Sequence, residues 1–157
     1  MITNCLAQIR THLTNLPEPS RWSAVLQLLL AEFNSETATI HRLEAGSQLL
    51  QLVAHIGLPP QLVPIVQTIP VGKGIAGETV ARNAPVTICN LQTDDSGVAR
   101  PSARQTGVGG ALSVPIRNAG RVVGTIGVGT KREHEYTAAE TAKLEAVAHA
   151  IGELGLS

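Results

Sequence analysis

Aromatic side chains are almost missing from this chain: Trp22, Phe33 and Tyr136 are the only three. A pocket that stacks a purine or a tetrapyrrole normally offers it aromatic faces. None of the three lies in the Thr87–Gly110 segment, so ligands of that kind are not expected. Cysteine is scarce too, with only Cys5 and Cys89. Two distant thiols make no disulfide framework, and no Cys-x-x-Cys pair exists for zinc. A reducing, cytoplasmic location is expected. An excess of charge is also lacking, since Lys plus Arg and Asp plus Glu are both 12. Without a basic surplus to condense on phosphates, neither nucleic acid nor a membrane surface is an expected partner. The longest unbroken apolar run, Leu28–Ala31, is far too short to span a bilayer. Met1-Ile2-Thr3-Asn4-Cys5 lacks the charged start of a signal peptide.

Missing ligand spacings remove further chemistry. His12, His41, His55, His134 and His149 form no H-E-x-x-H or comparable set. His41 and His55 could approach across a hairpin, but ordinary sheet-surface histidines are the expectation, with no metal and no cofactor. Cys89 has no basic neighbour in sequence to activate it and reads as a small buried strand residue. Cys5 reads as a packing or surface residue of the first helix.

What is present is one domain's worth of alternating patterns in 157 residues. Ile2, Leu6, Ile9, Leu13 and Leu16 recur at helical spacing until Pro17 and Pro19 stop them. Ser20 reads as an N-cap for a second helix, whose stripe is Trp22, Val25, Leu26, Leu29, Leu30 and Phe33. Thr37–Leu43 and Leu50–Ala54 flank a Gly-containing turn as an antiparallel hairpin. A short helix after Pro60, a strand over Gln67–Val71, a short helix over Ile75–Asn83 and a strand over Val86–Leu91 follow. Gln92–Gly109 is a long polar loop, a common seat of function. Ala111–Ile116 and Val122–Val128 form a second hairpin. Thr137-Ala138-Ala139-Glu140 is a capping box for a last helix carrying Leu144, Val147, Ala148, Ile151 and Leu154. Strands joined by hairpins between terminal helices predict an α+β fold with an antiparallel sheet.

Gly72-Lys73-Gly74-Ile75-Ala76-Gly77 matches G-x-G-x-x-G. No βαβ unit surrounds it, so it reads as a tight turn entering a helix rather than a dinucleotide loop. In the long loop, Arg100 and Arg104 stand near Asp94 and Asp95. They are either an anion clamp of bidentate guanidinium donors or mutually offsetting solvated charges.

Several of these segments together resemble the GAF family. The resemblance covers roughly residues 20 to 154. It rests on Val71-Gly72-Lys73-Gly74-Ile75-Ala76-Gly77 with Ala84-Pro85-Val86, on Leu91-Gln92-Thr93-Asp94-Asp95, on Ser113-Val114-Pro115-Ile116 with Gly120-Arg121-Val122-Val123-Gly124, and on Tyr136-Thr137-Ala138-Ala139-Glu140. The resemblance implies a sheet of about six antiparallel strands with terminal helices on one face. Loops and short helices would form a pocket on the other. It implies a sensory or regulatory domain binding an unidentified small molecule, anionic or apolar, with Ile75, Leu91, Asp94, Asp95, Arg100, Arg104 and Leu112 as candidate binding residues. It further implies a homodimer through terminal helices, with residues 1–19 as an interface helix on a 20–154 core and Leu6, Ile9, Leu13, Leu144, Val147 and Ile151 as the contacts. A separate effector protein is then expected, or an effector segment following Ser157.

Two alternatives share the resemblance. One is a ligand-free dimerisation module whose pocket is filled by its own side chains. The other is a reductase of free methionine-R-sulfoxide, whose lineage keeps a cysteine in a Gly-Val-Cys-Gly context. Ala76 stands at that place here, and Gln92–Gly109 contains no cysteine. A thiol relay lacks its groups, so no enzyme is expected. The Asn-Lys-Phe-Asp-Glu signature of cyclic-nucleotide-binding members is absent as well.

Overall fold

Helices α1 (Ile2–Asn15) and α2 (Ser20–Glu32) open the chain and pack on each other. The computed structural model describes residues 2–94, 96, 98 and 107–156. Ser20 is the first helical residue of α2 rather than its cap. Pro19 occupies the cap position, and no side chain bonds the first turn. Proline has no side-chain acceptor to offer, and its restricted φ already directs the chain into the helix.

Strands β1 (Thr37–Glu44) and β2 (Leu49–Ile56) make the first hairpin. A one-turn helix, α3 (Val63–Val66), follows a 3-10 turn over Pro60–Leu62. Next come β3 (Thr68–Pro70), α4 (Gly74–Arg82) and β4 (Val86–Ile88). The expected strand over Val86–Leu91 ends early, because the Asn90 side chain accepts from the Gln92 N–H and turns the backbone. Strands β5 (Ala111–Asn118) and β6 (Arg121–Gly129) form the second hairpin.

All described strands lie in one sheet, in the order β3-β2-β1-β6-β5-β4, with every pair antiparallel. The β1–β6 pairing joins the two hairpins at the centre of the sheet. It sets Thr37, Thr39 and His41 opposite Gly129, Gly127 and Thr125.

The period-2 alternation of the strands divides the two faces. Ala38, Ile40, Val114, Ile116, Ile126 and Val128 share a core with Ile9, Leu13, Trp22, Leu29, Leu144 and Ile151 of α1, α2 and the last helix, α5 (Ala138–Leu154). At Gly152 a Cβ would run into the Arg117 carbonyl, so only glycine lets α5 lie this close to β5. The capping box forms as expected: Thr137 Oγ1 accepts from the Glu140 N–H at 3.1 Å, and a Glu140 carboxylate oxygen accepts from the Thr137 N–H at 2.9 Å. The opposite face carries the 3-10 turn, α3 and α4, and the site lies beneath them.

Candidate functional site

The floor of the site is set by small side chains on the second face of the sheet. Register aligns Thr37, Gly129 and Ala111 in one row across β1, β6 and β5, and Thr39, Gly127 and Ser113 in the next. Two glycines leave β6 without side chains on this face in both rows. Their walls are close: a Cβ on Gly129 would lie 2.6 Å from Thr37 Oγ1, and one on Gly127 3.3 Å from the Leu112 carbonyl oxygen.

Over this floor lies a cavity of about 170 Å³. Leu58, Leu62, Ile65 and Val66 close one side, and Gly74, Ile75 and Ala76 at the start of α4 another. Leu91 and Val108, which pack with Ile88 and Ala111, close a third. The turn into α4 is the Gly-rich segment: Gly72 and Gly74 hold φ of +88° and +66°, a region other residues rarely enter. The strands on either side of α4, β3 and β4, lie at opposite edges of an antiparallel sheet and make no parallel βαβ unit, so the segment serves as a corner that places Ile75 and Ala76 on the cavity.

Every described residue on the cavity wall is uncharged; the polar ones are Thr37, Thr39, His41 and Ser113. His41 is 2% exposed, which overturns the expectation of a sheet-surface histidine. A register shift between Ile40 and His41 in the β1–β2 ladder lies beside it, and α3 packs over it. Its Nε2 lies 2.9 Å from the Val66 carbonyl oxygen. A carbonyl only accepts, so Nε2 carries the proton. Desolvation holds the ring's pKa below its ordinary value, against the weaker upward pull of the Val66 bond. His55 pairs in register with Thr39 and is exposed. Among the described residues, no three His, Cys, Asp or Glu side chains converge as metal ligands.

Of the residues singled out in the sequence, Ile75, Leu91 and Leu112 line the cavity. Asp94 does not; its carboxylate accepts from the Ser96 hydroxyl at 2.6 Å. Asp95, Arg100 and Arg104 lie outside the described residues. Cys89 is exposed rather than buried, because β4 ends just before it. Local desolvation and then the carboxylates of Glu133 and Glu135 push its thiol up, away from the reactive thiolate. Cys5 is buried, and desolvation raises it too. Neither thiol lines the cavity.

The candidate interface side chains lie inside the chain's own core. Ile9, Leu13, Leu144, Val147 and Ile151 are at most 2% exposed, and Leu6 is partly buried against the same core. The reason is geometric: α1 lies across α2 and α5 of its own chain, so its apolar stripe is already covered.

Sequence reasoning missed Thr37, Thr39, His41, Ser113, Gly127 and Gly129. A signal for the glycines was present. In Thr125-Ile126-Gly127-Val128-Gly129 the apolar residues alternate with small ones, the mark of a strand with one packed face and one hollow face.

The comparisons with known proteins agree with this architecture. A GAF-domain family model matches residues 23–154. No curated protein matches the chain. Solved structures do, at low identity. The GAF domain of an Acinetobacter phosphoenolpyruvate-protein phosphotransferase is 18% identical, with a TM-score of 0.80 over 97% of this chain and 90% of its own. Free methionine-R-sulfoxide reductase from Neisseria meningitidis, in complex with its substrate, is 16% identical, with a TM-score of 0.79 over 96% of this chain and 86% of its own. The A. aeolicus nlh2 GAF domain in an inactive state is 18% identical, with a TM-score of 0.76 over 96% and 93%. A sheet of six antiparallel strands between terminal helices and a covered cavity defines the class, and the family match completes it: the chain belongs to the GAF family. None of its described helices is long and apolar enough to cross a membrane.

Proposed function

We propose that this GAF domain is a non-enzymatic regulatory module that binds an uncharged, mainly apolar small molecule in the cavity over Gly127 and Gly129. The cavity itself carries this reading. Its described wall is apolar with four neutral polar residues, and its size suits a small ligand rather than a nucleotide. Of the two ligand classes weighed from the sequence, this wall favours the apolar one, because a buried charge needs a partner.

Two alternatives lose support. In a ligand-free dimerisation module the family pocket would be filled by its own side chains, yet glycines keep its centre open. The sulfoxide reductase named above is similar in fold, but a thiol mechanism needs cysteine at the substrate. Here Ala76 lies on the cavity wall, while Cys5 and Cys89 lie elsewhere. A homodimer would have to use surface other than these buried side chains, such as that around Leu154 at the end of the α5 stripe, which is 40% exposed. Native mass spectrometry of protein purified without added ligand tests the reading. A reproducible extra mass of a small, uncharged compound is the expected result. A retained nucleotide or tetrapyrrole would overturn it.

A further inference from the structure

Most polar groups bordering the cavity are indifferent to the hydrogen-bonding sense of a ligand. The hydroxyls of Thr37, Thr39 and Ser113 rotate and either donate or accept. His41 differs. Its Nε2–H is committed to the Val66 carbonyl at 2.9 Å, which fixes the tautomer and leaves Nδ1 as a lone-pair acceptor. Nδ1 is sealed from solvent and has no hydrogen-bond partner among the described residues. A buried acceptor left unpaired is uncommon in folded proteins and calls for an explanation. Its ring forms part of the cavity wall, together with Leu62, Ile65 and Val66, which cover that side. Within this cover only Leu62 is fully buried. No residue of α3 is fully buried, and Ile65 is 37% exposed. A donor inside the cavity reaches Nδ1 when the side chains bordering the ring move aside while the Val66 carbonyl keeps its hold on Nε2.

We infer that His41 Nδ1 is the polar recognition point of this pocket and selects an apolar ligand carrying one uncharged O–H or N–H donor, of the phenol or alcohol class. The inference rests on the proposed binding function and adds ligand polarity to it. A donor reaching Nδ1 completes the histidine's hydrogen bonding. A ligand that only accepts, or has no polar group, leaves Nδ1 as it stands.

Titration of the full chain with phenol, toluene and anisole, followed by amide chemical shifts, tests this. The three are similar in shape, and only phenol donates. All three should bind at the cavity, phenol about tenfold more tightly than the others, which is the ratio one neutral hydrogen bond supports. His41→Phe should abolish that preference, read as the ratio of phenol to toluene affinity falling to about one. Imidazole nitrogen shifts of the unsubstituted protein give a second measure, independent of the variant's folding. They should show the Nε2–H tautomer, with the Nδ1 signal moved by phenol and unmoved by toluene. Binding of all three without preference for phenol overturns the inference alone, as does an Nδ1–H tautomer or a preference that survives His41→Phe. Failure of all three to bind overturns the cavity reading and the inference with it.

Discussion

At the scale of single residues, the site depends on where side chains are missing. Gly127 sits between Thr39 and Ser113 on the cavity floor. Gly127→Leu would send a branched side chain into the space a ligand needs. It should reduce binding of an apolar probe such as toluene more than tenfold. The chain should stay folded, with a loss of no more than about 1–3 kcal/mol from the tight Cβ contact with Leu112. Probe titration beside urea unfolding checks both parts. His41 makes a different prediction. Desolvation lowers its folded pKa by more than the Val66 bond raises it, so the unfolded chain takes up a proton first, near its ordinary 6.5. The neutral ring's contribution is therefore complete above about pH 6.5. It is lost as pH falls from there towards the lower folded value, at up to about 1.4 kcal/mol per pH unit. Urea unfolding of the unsubstituted protein and of His41→Phe across this range should show the extra slope only where His41 is present. The alternating glycines of β6 were written in the sequence, but the depth of His41 was not. Its burial comes from α3, twenty-odd residues later, folding back over β1, and from the neighbouring register shift. No local pattern around residue 41 encodes either.

At the scale of elements, sequence signals succeeded where the deciding interaction is local. The capping box needs only Thr137 and Glu140, three residues apart, and both of its bonds form. Thr137→Ala should therefore cost about 1 kcal/mol of stability, the usual effect of losing such a cap, read as a lower urea midpoint with an unchanged slope. Glu140 is also met by His134 Nε2, 3.1 Å from both carboxylate oxygens, so its ordering does not vanish with the threonine. Local signals misled where two motifs compete. Ser20 is a good cap type, yet Pro19 before it takes the position. Val86–Leu91 has strand composition, yet the Asn90 side chain breaks it. The hairpins were legible because their apolar residues alternate towards one core, which fixes register as well as strand type. The sheet order was not, because the central β1–β6 pair joins segments about eighty residues apart.

At the scale of the whole molecule, the terminal helices decide whether the chain needs a twin to complete its core. Their apolar stripes suited an interface equally well when read as sequence, since periodicity shows that a face is buried and not by what. The structure covers Ile9, Leu13, Leu144, Val147 and Ile151 from within one chain. Leu13 lies where α1, α2 and the end of α5 meet: a Cβ on Gly155 would be 3.0 Å from Leu13 Cδ2 and 3.1 Å from Trp22 Cη2. Leu13→Ala should then behave as a core truncation, costing about 2–5 kcal/mol through lost burial and an incompletely closed cavity. Had Leu13 been buried by a second subunit instead, mass action would make the measured stability rise with protein concentration and would make the loss depend on it. Urea unfolding of both proteins at low and high concentration separates the two cases. The same Leu13→Ala loss at each concentration is the expected outcome, and a loss that changes with concentration would move this face of α1 from the chain's own core to an interface.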